Sequence, residues 1–119
     1  MSGPPDEHTS QRLATYGTLR PGEANHHLVA HLPGQWRSGW VRGRFQAQGW
    51  GLTHGFPALV PDPAGERIAV SVLESSALVA YWPTLDAFEG PAYVRVLVEV
   101  ELEDGGFCIA HLYAAALRP

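Results

Sequence analysis

The sequence predicts an α+β fold, namely a small mixed, mostly antiparallel β-barrel with one or two short helices. Apolar and polar residues alternate in several short runs, most clearly over Tyr93–Leu102, which predicts about five or six strands. Glu103–Gly106 is a hairpin turn signal, after which Phe107–Ala114 returns as the partner strand. Apolar residues recur at helical spacing between Leu78 and Phe88, which predicts a helix that caps the sheet.

The composition is typical of one small domain. The chain has 119 residues, of which 45% are hydrophobic, and this suffices for one compact core. We assign residues 12–119 to a single domain and the polar, Pro-rich residues 1–11 to a flexible N-terminus.

Charge and residue usage exclude several classes of function. The net charge is −4 without a basic cluster, so nucleic acid is not an expected partner. All eight basic residues are Arg, which excludes a Gly-Lys-Ser/Thr phosphate loop and a Schiff-base lysine. The single cysteine, Cys108, excludes an internal disulfide and is expected to be a small core residue. No membrane-length apolar run or signal pattern is present, so we expect no membrane partner and a cytoplasmic location.

Glycine, proline and alternating apolar residues predict the remaining elements. In chain order these are a strand at Arg12–Tyr16, a turn at Gly17–Gly22, a short helix at Glu23–His31 with Leu28, Val29 and Leu32 inward, a long strand at Gln35–Gln48 bent or bulged at Gly39 or Gly43, a loop at Gly49–Pro63 with an extended piece at Phe56–Val60, and a strand at Arg67–Leu73. Ser75 or Ser76 is the expected N-cap of the main helix, and Pro83 is expected to kink or split it.

Glu89 is the last residue before the Gly90-Pro91 stop of the main helix. We expect Leu85 and Phe88 to hold this helix end against the core. A carboxylate at the negative end of a helix dipole, if partly buried, has a raised pKa, which suits a general acid/base near neutral pH. The alternative is a solvated residue at a helix end.

The turn Tyr16–Gly22 (YGTLRPG) directly follows the first strand. Consecutive N–H groups in such a Gly-rich turn form a small anion-binding site. The alternative is an ordinary connection between two elements.

His27 and His31 are spaced to share one helix face, but no third or fourth metal ligand accompanies them. We therefore interpret them as solvated histidines and expect no metal and no other cofactor. A Ser or Cys hydrolase is also disfavoured, since neither Gly-x-Ser-x-Gly nor a Cys-His pair is present.

Together these stretches resemble the gamma-glutamylcyclotransferase-like family, especially its small members related to gamma-glutamylamine cyclotransferases. The matching pieces occur in the order of the family and cover nearly everything after residue 12: Tyr16–Gly22 (YGTLRPG), Gly55–Val60 (GFPALV), Leu85–Gly90 (LDAFEG) with Tyr93–Arg95 (YVR), and Ala110–Tyr113 (AHLY). The resemblance implies a small mixed β-barrel and an intramolecular reaction, in which a γ-glutamyl group closes to 5-oxoproline and releases the amine or amino acid attached to it.

The resemblance also implies roles for particular residues. Glu89 matches the catalytic carboxylate of the family, which would take a proton from the substrate α-amine and give it to the departing amine. The turn formed by Tyr16, Gly17, Thr18 and Leu19 matches the loop that holds the glutamyl head. Three further substrate-binding candidates are Arg20, Tyr93 and Tyr113, with a solvated arginine and half-buried barrel aromatics as the alternatives.

One departure concerns the strand before the helix, where members of the family usually carry a Gly-Glu pair. Here the region reads Ile68–Val72 (IAVSV), and Glu74 lies nearby but out of place. This leaves a second hypothesis open, a non-catalytic small-molecule or protein-binding module on the same barrel.

Overall fold

A computed structural model of the chain describes residues 8–46 and 58–116. Its six strands and one α-helix are β1 (Arg12–Thr15), β2 (Gln35–Gln46), β3 (Ala58–Pro61), β4 (Glu66–Glu74), α1 (Leu78–Glu89), β5 (Tyr93–Leu102) and β6 (Phe107–Ala115). Two short 3₁₀ helices, Thr9–Gln11 and His26–Leu28, complete the described elements. Residues 1–7 of the predicted flexible N-terminus, residues 49–57 of the predicted loop and residues 47–48 at the end of the predicted long strand lie outside the described residues.

The predicted barrel is confirmed. The strands follow the order β3-β2-β4-β1-β6-β5, and an additional pairing of β2 with β5 closes five of them into a barrel to which β3 adds at one edge. The pairing of β1 with β6 is parallel, and all other pairings are antiparallel, so the barrel is mixed.

Strand β2 contacts three strands because its partner on one edge changes along its length. It pairs with β4 from Gln35 to Gly43, with β5 at Gly39–Trp40, and with β3 from Gly43 onward. A Cβ added at Gly39 would lie 2.4 Å from the Glu101 carbonyl oxygen, so only glycine permits this close approach. The pairing of β2 with β4 keeps a regular register from Gln35 to Gly43, so the predicted bulge is absent from it. Gly39 and Gly43 are instead the positions where the pairings with β5 and β3 begin.

Two large hydrophobic clusters hold the domain together, and a third, smaller one contains Ala58, Val60 and Ala115. One fills the barrel and contains Ala14, Val41, Leu59, Val70, Val72, Val98, Val100, Leu102, Ala110, Leu112 and Ala114. The other packs α1 and the 19–29 segment against the barrel and contains Leu13, Leu19, Val29, Leu73, Leu78, Trp82, Leu85 and Tyr113. Neither α1 nor any other helix among residues 8–46 and 58–116 is long and apolar enough to cross a membrane.

Helix α1 buries Leu78, Trp82 and Leu85, whose spacing places them on one face. Pro83 lies inside this helix without ending it. The predicted serine N-cap is wrong, because Ala77 occupies that position. Ser75 instead forms the preceding turn, where its Oγ accepts a hydrogen bond from the Ala77 N–H at 3.2 Å.

The short helix predicted over Glu23–His31 is also wrong as an α-helix. Only His26–Leu28 is helical, and its hydrogen bonds connect residues three apart, as from Val29 N–H to His26 O. The predicted inward positions are nevertheless found, with Val29 fully buried and Leu28 and Leu32 partly buried. A polar turn with three apolar residues therefore packs on the core without a regular α-helix, although the Ala30 N–H donates one bond to the His26 oxygen four residues back, at 2.9 Å.

Candidate active site

A cavity of about 260 Å³ lies where the turn after β1 faces the end of α1. It is lined by Ala14, Thr15, Tyr16, Gly17, Thr18, Leu19, Asn25, Phe88, Glu89, Tyr93 and Tyr113. The two stretches that the sequence singled out are far apart in the chain, and both line this one cavity. Among the described residues that line this cavity, Glu89 is the only ionisable acid or base apart from the tyrosines.

Glu89 is the last residue of α1 and is partly buried. Burial raises the pKa of its carboxyl from an ordinary 4.5 to about 7. Among residues 8–46 and 58–116, no hydrogen bond or ion pair compensates this carboxylate. A solvated helix-end residue would keep an ordinary pKa, so the carboxyl group has the burial and the pKa of a proton-transfer group rather than those of a surface side chain.

Leu85 fixes the helix end that carries Glu89. It is 1% exposed, and burial of such a side chain stabilises the fold by about 1.5–3 kcal/mol. Phe88 was expected to pack on the core as well, but it is 44% exposed and lines the cavity instead. One residue of the pair therefore holds the helix, and the other contributes an apolar wall to the site.

The carbonyl oxygens of the Gly17–Leu19 turn are all occupied by hydrogen bonds. The Gly17 oxygen accepts from the Arg20 N–H and the Thr18 oxygen from the Asn25 N–H, at 3.2 and 2.9 Å. The Leu19 oxygen accepts from His26 Nδ1 at 2.9 Å. In contrast, the N–H groups of Gly17–Leu19 donate none of the backbone hydrogen bonds formed within the described part of the chain. The turn therefore has unused donors, which is the arrangement that an anion requires.

The hydroxyl of Tyr16, the first residue after β1, bonds to both β3 and β6. It donates to the Tyr113 carbonyl oxygen at 2.8 Å and accepts from the Leu59 N–H at 3.0 Å. Burial raises the pKa of Tyr16, so the hydroxyl stays protonated and keeps both bonds. Tyr16 thus contributes its ring to the cavity wall, while its hydroxyl maintains the barrel.

The hydroxyl of Tyr113 belongs to a polar cluster behind the cavity. It donates to Asp86 Oδ1 at 2.6 Å. Arg95 holds the same carboxylate with two hydrogen bonds, from Nε at 2.9 Å and from Nη2 at 3.2 Å. The hydrogen bond from Arg95 is the main reason why the pKa of Asp86 is lowered. The guanidinium also lies 4.5 Å from the centre of the Trp82 ring, so this cluster connects α1 to β5 and β6.

Tyr93 and Arg20 have different positions relative to the cavity. Tyr93 lines it and is partly buried, which raises the pKa of its hydroxyl. Arg20 is not among the lining residues. Its Nε donates to the Gly17 oxygen at 3.1 Å, and its Nη2 lies 3.8 Å from the Glu23 carboxylate. Arg20 therefore stabilises the turn without lining the cavity.

Asn25 is a lining residue that the sequence reasoning missed. Its side-chain Nδ2 donates to Thr18 Oγ1 at 2.9 Å. It stands in a polar segment, Glu23–His27, which was interpreted as an amphipathic helix with its apolar residues inward. The available signal was that Asn favours turns over helix interiors.

The remaining titratable candidates lie away from the cavity. Glu74 forms ion pairs with Arg12 at 3.0 Å and Arg37 at 3.6 Å, so it is used in the structure of the barrel. His27 and His31 are both exposed, and the His31 ring packs edge-on against Tyr81. Within residues 8–46 and 58–116, no group of three or more His, Cys, Asp or Glu side chains could hold a metal ion.

The fold and this site define a small mixed barrel in which a partly buried carboxylate shares a cavity with a turn whose N–H groups donate no backbone hydrogen bond within the described residues. The chain belongs to the family described as gamma-glutamyl cyclotransferase, AIG2-like, whose model matches residues 13–119. This family consists of cyclotransferase enzymes. The predicted resemblance is therefore confirmed.

Solved structures support the same fold. YkqA from Bacillus subtilis is 30% identical with a TM-score of 0.67, and the match covers 90% of this chain but only 36% of YkqA. An AIG2-like protein from Mus musculus is 24% identical with a TM-score of 0.68, covering 92% of this chain and 79% of that one. PH0828 from Pyrococcus horikoshii is 23% identical with a TM-score of 0.60, covering 91% and 80%. A comparison with curated proteins finds no match.

Proposed function

We propose that this protein is a γ-glutamyl cyclotransferase that releases 5-oxoproline from a γ-glutamyl amine or a related small amide, with Glu89 as general acid/base. The observation that carries the proposal is the position of Glu89. An unpaired, partly buried carboxyl with a pKa of about 7 shares a cavity with the Gly17–Leu19 turn. Membership of a cyclotransferase family supports the reaction class.

Glu89 would act twice in the reaction. The substrate α-amine is an ammonium near neutral pH and must lose a proton before its nitrogen can attack. The Glu89 carboxylate takes that proton, the nitrogen attacks the γ-carbonyl carbon, and a ring with a tetrahedral centre forms. The protonated Glu89 then gives the proton to the departing amine nitrogen as the old C–N bond breaks. The ring nitrogen still carries a second proton, which it gives to the restored Glu89 carboxylate, and Glu89 passes it to the released amine. The products are 5-oxoproline and the amine as an ammonium ion, and the carboxylate is restored again.

The turn after β1 would hold the substrate α-carboxylate. The N–H groups of Gly17–Leu19 are unused donors at the cavity, and a carboxylate accepts several such bonds. Because nucleophile and electrophile belong to one molecule, the main task of the protein is to hold a folded conformer. The rings of Tyr16, Tyr93 and Tyr113 would supply the walls against which the glutamyl chain folds.

The strand in which the family usually carries the Gly-Glu pair lies away from the lining of this cavity. In β4, Val70 and Val72 are buried in the barrel cluster, and no residue of β4 lines the cavity. A binding module on the same barrel remains the competing hypothesis. However, an unpaired buried carboxylate costs stability, and a binding module of neutral ligands gains nothing from retaining one.

The test is 5-oxoproline release from a panel of γ-glutamyl amines and γ-glutamyl dipeptides, with the released amine measured in the same samples. Wild type should form 5-oxoproline and amine in equal amounts from at least one substrate, and Glu89→Gln should form neither. A folded wild type that releases nothing from the whole panel would favour the binding module.

A further inference from the structure

Asn25 contacts the turn after β1 at two points, and both are acceptor oxygens of Thr18. Its backbone N–H donates to the Thr18 carbonyl oxygen, and its side-chain Nδ2 donates to Thr18 Oγ1, each at 2.9 Å. A threonine hydroxyl that accepts a hydrogen bond keeps its own proton for donation. Asn25 thus occupies the acceptors of Thr18 and leaves its N–H and O–H to donate.

Arg20 and His26 also donate hydrogen bonds to oxygens of this turn. The Arg20 N–H and Nε both donate to the Gly17 oxygen, at 3.2 and 3.1 Å. His26 Nδ1 lies 2.9 Å from the Leu19 oxygen, and since a carbonyl only accepts, this nitrogen carries the proton. The carbonyl oxygens of Gly17 and Leu19, which would repel an anion, are therefore already occupied as hydrogen-bond acceptors.

Asn25 differs from these neighbours because it also lines the cavity, whereas Arg20 and His26 do not. Among the described residues outside the turn, Asn25 both bonds to the turn through its side chain and lines the cavity, and its side chain carries no charge. A neutral donor can fix the turn without placing a competing cation or anion beside the ligand.

We propose that Asn25 is a positioning residue that makes the Gly17–Leu19 turn selective for a carboxylate. It acts through Thr18, by directing the hydroxyl and N–H of that residue toward the ligand as donors. The identification of this carboxylate with the substrate α-carboxylate rests on the proposed function, but the selectivity for an anion does not.

The test compares binding of L-5-oxoproline with binding of L-5-oxoprolinamide, which has the same ring but a neutral amide in place of the carboxylate. Calorimetry on the full chain at neutral pH gives the ratio of the two dissociation constants. Wild type should prefer the acid by about tenfold or more, the usual effect of hydrogen bonds to a charged group. Asn25→Ala should lower this ratio to about threefold or less, because Thr18 is no longer oriented.

Further variants separate this role from a merely structural one. Asn25→Asp keeps the shape but replaces the donor with a negative acceptor, so the preference should disappear or reverse. Thr18→Val should lose the preference and Thr18→Ser should keep it. His27→Ala is the control, since His27 is exposed and does not line the cavity, and it should bind both ligands like wild type.

Three results would overturn the inference. These are a wild type without preference for the acid, an Asn25→Ala protein that keeps the wild-type ratio, and an Asn25→Asp protein that keeps it. Circular dichroism of each variant verifies the fold, and Thr18→Val tests the same point if Asn25→Ala is unfolded. Cyclisation assayed on the same samples is a separate result, since a wild type that prefers the acid but releases no 5-oxoproline refutes the proposed function alone.

Discussion

The Tyr113 hydroxyl donates a 2.6 Å hydrogen bond to Asp86, and Asp86 lies one helical turn before Glu89 on α1. Arg95 of β5 holds the same Asp86 carboxylate at 2.9 Å. The last turn of the helix is thus tied to both strands of the β5–β6 hairpin. The position of Glu89 depends on this tie, because the residue itself has no polar partner within the described residues.

Tyr113→Phe should therefore lower activity as well as stability. Loss of one hydrogen bond should lower the free energy of unfolding by about 1 kcal/mol. It should also lower kcat by about tenfold, because a small displacement of a reacting group is costly. Urea denaturation and steady-state kinetics measure the two effects.

Tyr81→Phe is the matched control for this substitution. Tyr81 also lies on α1, and its hydroxyl donates to the Leu28 oxygen at 2.6 Å, away from Glu89. It should lose similar stability but keep kcat. Equal losses of kcat in the two variants would mean that helix stability, rather than the Asp86 tie, controls the rate.

Two glycine-to-alanine substitutions should separate folding from binding. At Gly39 the new methyl group would lie 2.4 Å from the Glu101 oxygen at the point where the barrel closes. The expected cost is about 1–3 kcal/mol or more. At Gly17 it would meet no atom within 4 Å, so the fold should be kept.

Gly17 lines the cavity, so Gly17→Ala should raise KM for the substrate while the melting temperature stays near that of wild type. Thermal denaturation and kinetics on both variants test this. An unstable Gly17→Ala protein, or a Gly39→Ala protein as stable as wild type, would contradict this account of the two glycines.

The rate should depend on pH through Glu89. A general base works only when deprotonated, so kcat/KM should fall as pH decreases through about 7, the pKa of this carboxyl. A profile of 5-oxoproline release against pH, at low substrate concentration, measures this midpoint. A midpoint near the ordinary value of 4.5 would mean that the reacting group is not a buried carboxyl.

Stability should depend on pH through the same residue. The folded-state pKa of Glu89 is raised from 4.5 to about 7, so the folded protein holds the proton more tightly than the unfolded chain. Its contribution to stability is full below the unfolded pKa and is lost as pH rises through the folded pKa. The loss is at most about 3 kcal/mol.

Glu89→Gln has no ionisable group at this position and should be more stable than wild type above pH 7, with a difference that disappears below 4.5. Urea denaturation of both proteins across this pH range measures the effect. A difference that does not change with pH would show that the carboxyl is not desolvated in the folded protein.

The local pattern of apolar, glycine and proline residues was sufficient to predict much of the fold. Alternation located β5 at Tyr93–Leu102 with both ends correct, and the Gly90-Pro91 stop placed the end of α1 at Glu89. Both elements are specified by side chains close in the chain. The sequence predicted that the sheet closes into a barrel but not which strands pair to close it. The three partners of β2 depend on contacts between strands that are distant in the chain.

The candidate site was predictable where a local pattern singles out one residue or one turn, and not where hydrogen bonds connect separate segments. Glu89 and the Gly17–Leu19 turn lie at the cavity as expected. The hydroxyl of Tyr16 and the amide of Asn25 have partners on other elements or on a different turn, which residue types alone do not indicate. The short helix prediction failed for a different reason, since the His26 and Val29 N–H groups bond to oxygens three residues back, as in a 3₁₀ turn.

The most direct test of the central claim is the rate of 5-oxoproline release by wild type and by Glu89→Gln, measured side by side on the best γ-glutamyl amine. The substitution keeps the shape of the side chain and removes only its ability to accept and return a proton. We expect a cooperatively folded variant whose kcat is lower by about 100-fold or more, as for loss of a general acid/base. A Glu89→Gln protein with wild-type kcat would contradict the mechanism.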